Sequence, residues 1–133
     1  MVGHYTAKKL TEAILKDIDF DDVVYAEYAS LGAMGNSGGV TMYARQDDKM
    51  IRYRTNIRED EATFVAFDKA IGRNKDKFLN YYGGAGNYVF IHKRSNIIED
   101  DVQECFLIID GQNEFRIDST CRGVFLSVSA RMK

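Results

Sequence analysis

The chain has 133 residues, the length of one domain and enough to bury a core without staples. Its 45% hydrophobic and 29% charged residues are ordinary for a globular protein, and a net charge of −2 with pI near 5.7 argues against a nucleic-acid partner, whose surface would be basic. No apolar run reaches the length of a membrane span, the first residues lack the layout of a signal peptide, and two cysteines, Cys105 and Cys121, make no disulfide framework, so a cytoplasmic protein is expected.

In chain order, Thr6 is expected to cap a helix from Ala7 to Ile18, because Leu10, Ile14 and Ile18 recur every four residues. Val23 to Ala29 is β-branched and aromatic and reads as a strand. Val40 to Arg45 follows as a second strand, Gln46-Asp47-Asp48 as a tight turn and Met50 to Thr55 as a third strand. That strand places Ile51 and Tyr53 on one face and Arg52 and Arg54 on the other. Arg58-Glu59-Asp60-Glu61 opens a second helix with acids where the helix dipole favours them, and Phe64, Phe67, Ala70 and Ile71 form its apolar stripe. Gly72-Arg73-Asn74 breaks it, Asp76 to Tyr82 continues as a shorter helix, and Gly83-Gly84 supplies the cap.

The last third reads as strands: Tyr88 to Arg94, Val102 to Asp110, Glu114 to Asp118 and Val124 to Arg131. Asp110-Gly111 is a hairpin signal, since the pair tolerates positive φ. Cys105 to Ile109 is apolar on both faces and reads as the centre of the sheet. Most links between strands are short, so the expected architecture is a single α+β domain spanning 1–133. It has a mainly antiparallel sheet of about six or seven strands, with an N-terminal helix and a central helical segment packed on it.

Two glycine-rich loops stand out, because each runs straight into a strand. Gly32-Ala33-Met34-Gly35-Asn36-Ser37-Gly38-Gly39 leads into Val40, and Gly83-Gly84-Ala85-Gly86-Asn87 leads into Tyr88. Such clusters mark places where the backbone needs positive φ or approaches something closely. Neither loop is a phosphate cradle of the kind that opens a helix. Gly35 to Gly39 resembles the segment around the nucleophilic serine of chymotrypsin-like proteases, which would make Ser37 a nucleophile. The roles that resemblance requires are missing: only His4 lies upstream, and no base can be assigned to Ser37. Val89-Phe90-Ile91-His92 resembles one RNA-contacting strand of cold-shock domains over four residues, without the glycine–aromatic strand that should precede it. Glu99-Asp100-Asp101 with Glu104 lacks the glycine and alternating ligands of a calcium loop, and the cysteines and histidines have no zinc spacing.

No acid–base set, metal cluster or cofactor loop is assembled by these patterns, so neither a reaction nor a cofactor is assigned. The expected function is a non-enzymatic binding or protein-interaction module that associates with itself or with a protein partner. Its tyrosines, Tyr25, Tyr28, Tyr43, Tyr53, Tyr81, Tyr82 and Tyr88, suit surfaces that are apolar with one wet end. The alternative is a protein or enzyme holding a small anionic, nucleotide-like ligand between the glycine loops and the arginine strand face. The candidate binding residues are Asn36, Ser37, Arg52, Arg54, Asn87, Tyr88 and His92.

Overall fold

The structure is a computed structural model and describes residues 2–3, 5–29, 38–84, 87–100 and 105–117. In chain order these form β1 (Val2–Gly3), β2 (Thr6–Lys9), α1 (Glu12–Asp17), β3 (Val23–Ala29), β4 (Gly39–Gln46), β5 (Lys49–Asn56) and α2 (Glu61–Arg73). A single 3-10 turn at Lys75–Lys77 leads to β6 (Phe78–Gly84), β7 (Asn87–His92), β8 (Asn96–Asp100), β9 (Cys105–Asp110) and β10 (Asn113–Ile117). The strands make two sheets, a six-stranded one in the order β2-β5-β4-β3-β7-β6 and a smaller one in the order β1-β10-β9-β8. Pairing is antiparallel except for β2 with β5 and β1 with β10. The α+β expectation holds, with its strands divided between two sheets.

Successive residues of a strand point to opposite sides, and the six-stranded sheet uses both. Tyr25, Tyr43, Met50, Val89 and Ile91 pack with Phe106, Ile108 and Phe115 of the smaller sheet. Ala26, Val40, Met42 and Ile51 pack with Leu15 of α1 and Phe67 and Ile71 of α2. The result is three layers with two cores. Fully burying one such side chain is worth about 1.5–3 kcal/mol, so the large sheet contributes to both. In the smaller sheet β9 is the inner strand its apolar run suggests, with Phe106, Leu107 and Ile108 all buried.

Turn chemistry follows the sequence closely. Asp47 and Asp48 have φ of 50° and 64°, the paired positive values that close a two-residue hairpin between β4 and β5. Gly111 has φ of 62° at the β9–β10 hairpin. Asp60 caps α2 by accepting a hydrogen bond from the Thr63 amide at 3.1 Å, and the Thr63 hydroxyl together with that amide holds its carboxyl below the usual range. Arg73 ends α2, and Asn74 closes it by donating from Nδ2 to the Ala70 carbonyl at 2.8 Å.

Three expectations need correction. Residues 6–9 are not the start of a helix but a strand paired in parallel with β5, in register Thr6 with Ile51 to Lys9 with Arg54. The helix begins only after Thr11, whose hydroxyl accepts from the Ile14 amide at 3.3 Å. Pairing with a strand far along the chain overrides a local four-residue period. Second, residues 78–82 are a strand and not a helix. Phe78 is buried and Leu79 is 37% exposed, so these neighbours lie on opposite faces and are not one helical stripe. Gly83 and Gly84 accordingly belong to β6, where the register shifts between Tyr82 and Gly84. Third, residues 96–100, which fall between the strands expected at 88–94 and 102–110, form a strand of their own. The expected strand at 124–131 lies outside the described residues.

Candidate functional site

Both glycine loops start from one end of the large sheet. Ala29 is in register with Gly39 on one side and with Asn87 on the other, so the three strand ends stand side by side. Gly39 is needed there for its small size. A Cβ on it would lie 2.5 Å from the Thr55 carbonyl oxygen.

One row in from that end, on the helical side, Tyr28 of β3 is opposite Tyr88 of β7. Their rings are 5.7 Å apart, and Phe64 of α2 packs on the other side of Tyr28 at 5.0 Å. The next row carries Phe90 opposite Asn80. Helical spacing brings Phe64, Phe67, Asp68 and Ile71 to the sheet-facing side of α2. Between these walls lies a groove of about 290 Å³ lined by Tyr28, Phe67, Asp68, Ile71, Asn80, Tyr88 and Phe90. Its lining combines apolar side chains with two phenols, one amide and one carboxylate. Burial raises the Tyr28 phenol above its ordinary range, and the charges of Asp68 and Tyr88 push the same way.

Of the residues singled out from sequence, the structure brings Tyr88 into the groove, 36% exposed, and puts the Asn87 backbone at its end. Asn36 and Ser37 lie outside the described residues. Arg52 and Arg54 are not beside the groove. They leave β5 with Tyr43 and Thr41 as cross-strand neighbours, on the face that packs toward the smaller sheet. Arg52 is half-buried, donates to the Tyr5 hydroxyl at 3.1 Å and sits 4.7 Å from the centre of the Tyr5 ring. Arg54 is exposed. Glu27, on the same face of β3, is buried and accepts from the Tyr25 hydroxyl at 3.1 Å.

His92 shares a strand face with Tyr88 and Phe90 but lies four residues along, roughly 13 Å away at strand spacing. It is 8% exposed, and its ring meets Phe78 edge to face at 5.4 Å. Nδ1 accepts from the Arg94 amide at 3.3 Å, which leaves the ring proton on Nε2, 3.8 Å from Asp21 Oδ1. Asp21 is itself held by Lys77 Nζ at 3.1 Å. Burial, reinforced by Arg94, lowers the histidine pKa against the opposing pull of Asp21. His92 is therefore a neutral, packed side chain.

A second cleft, of about 340 Å³, lies beside α1, where Asp17, Asp19 and Asp22 face Arg45, Gln46 and Tyr53. Arg45 is committed to Asp110 there. Among the described residues no cluster of three or more His, Cys, Asp or Glu side chains is placed to hold a metal, and no helix is long and apolar enough to cross a membrane.

Sequence reading missed Tyr28, Asp68, Asn80 and Phe90 as groove residues. Tyr28 and Phe90 were legible as strand residues, but α2 had to be placed over them before a groove existed. Asn80 was hidden by its assignment to a helix. Compared with protein-family models, curated proteins and solved structures, the chain matches none of them.

Proposed function

We propose that this chain is a non-enzymatic binding module of the cytosol whose recognition site is the aromatic groove between α2 and strands β3, β7 and β6. The observation that carries this reading is the run of Phe64, Tyr28 and Tyr88 rings beside a 290 Å³ recess. Concave recesses lined by aromatic side chains and a few polar groups are a common form of ligand site. Tyrosine offers a guest a large apolar surface and a hydrogen bond at low entropic cost. Its location beside two glycine-rich loops supports the same reading, since loops on a rigid sheet commonly carry function. The test is a ligand-observed NMR screen of small aromatic and aliphatic fragments. Hits should shift Tyr28, Tyr88 and Phe90 and vanish in a Tyr88→Ala protein. Hits that perturb only other surfaces would overturn the reading.

Self-association belongs to the same proposal. Its support is β6, an outer strand of the large sheet that carries Leu79 at 37% exposure. Light scattering at tens of micromolar should then give more than a monomer mass. A second reading, an anionic ligand at the loop end, is favoured by the alignment of Ala29, Gly39 and Asn87 with exposed Arg54 nearby on the opposite face. It predicts that Arg54→Glu abolishes phosphate binding while leaving the melting temperature unchanged.

A further inference from the structure

We propose that the guest of this groove is an organic cation, an alkylated ammonium group seated against the Tyr28, Tyr88 and Phe90 rings with Asp68 at the rim. The inference rests on the groove being the binding site and specifies what it takes. Aromatic faces carry negative quadrupole density, and a cation within about 6 Å of a ring centre is attracted by it, most strongly when desolvated. Two tyrosines and a phenylalanine on adjacent strands line one recess. Among the described residues the only charged side chain lining it is a carboxylate, Asp68, for which no ion pair is seen among those residues. Burial makes the Tyr28 phenol harder to ionise, and the nearby charge of Asp68 adds to the effect.

A metal ion does not fit this chemistry. Hard cations need several oxygen ligands at once, and the recess offers one carboxylate, one amide and two phenols spread over four elements. A primary ammonium is strongly hydrated and gives up its water reluctantly. An alkylated ammonium is bulky and weakly hydrated, so ring faces can replace its water. An anion is disfavoured at the same place by Asp68.

The experiment compares two nearly isosteric probes, choline and its uncharged carbon analogue 3,3-dimethyl-1-butanol, titrated into the full chain by NMR. Choline should shift Tyr28, Tyr88 and Phe90 and bind about tenfold more tightly than the neutral alcohol, the size of a desolvated cation–π contact. Asp68→Asn, a change at an exposed helix position, should lower choline affinity several-fold and leave the alcohol unaffected. Equal affinity for the two probes, or an Asp68→Asn protein that binds choline as before, would overturn the cation inference while leaving the groove as a binding site. If neither probe shifts the groove residues, the cation inference falls. The binding site itself is then judged by the fragment screen.

Discussion

Arg45 and Asp110, 65 residues apart in the chain, join the two sheets: Arg45 Nη1 lies 3.2 Å from each oxygen of the Asp110 carboxylate. The carboxylate side chain is only 5% exposed, whereas the guanidinium is 46% exposed. Losing the arginine therefore strands a buried charge, while losing the acid frees a cation that water can still reach. Arg45→Ala should cost about 1–3 kcal/mol in urea unfolding, and Asp110→Asn less. Equal losses from both would mean that burial of the carboxylate plays no part.

Three glycine-to-alanine changes should behave differently. Gly39→Ala forces a Cβ against the Thr55 carbonyl, and overpacking of this kind costs about 1–3 kcal/mol. Gly111→Ala meets no atom within 4 Å but sits at φ +62°, a left-handed conformation that costs about 1–2 kcal/mol. Gly72→Ala lies in α2 with open space around it and should stabilise by about 0.5–1 kcal/mol. Thermal unfolding of the three proteins checks the order.

Acid should weaken the fold through His92. A histidine in the unfolded chain titrates near 6.5, and burial holds the folded value lower. Between those two values the unfolded chain binds more protons, so stability rises with pH there and falls as pH drops below about 6.5. His92→Gln should flatten the stability profile below that point. A profile from pH 5 to 7 identical to that of the parent would show that another group governs the acid limb.

Core and groove aromatics should separate cleanly. Phe67 is 2% exposed and packs between α2 and the sheet, so Phe67→Ala should cost about 3–5 kcal/mol. Tyr88 is 36% exposed, and Tyr88→Ala should change stability by less than about 1 kcal/mol while removing fragment binding. A large stability loss from Tyr88→Ala would mean that it serves the fold.

What was legible in the sequence was local. Hairpin turns and strands with period-two patterning depend on neighbours a few residues away, and Asp47-Asp48 and Val23–Ala29 appear as read, while the acids expected to open α2 do so with Asp60 as its cap. What was not legible depended on distant partners. Thr6–Lys9 is a strand because β5 pairs with it, and Phe78–Gly84 is a strand because β7 does. Tyr25, Tyr43 and Tyr53 looked like surface material by number, yet the first two are fully enclosed and Tyr53 is nearly so. A second sheet covers Tyr25 and Tyr43, and the helices cover Tyr53. The groove was half legible. Tyr88 was singled out beside a glycine loop, but its companions became visible only once α2 was laid over the sheet.

The pairing of Val2 with Glu114 and of Gly3 with Phe115 sets an order of events during synthesis. β10, the strand that receives them, is made more than a hundred residues after them. Ribosomes add about 5–20 residues per second, so β1 waits at least several seconds without its mate. Throughout that interval β1 is an unsatisfied edge tethered to a growing chain. Closing so long a loop is the kind of distant contact that slows folding. The small sheet is thus the last layer to be completed, and the groove on the far side of the large sheet can take shape before it.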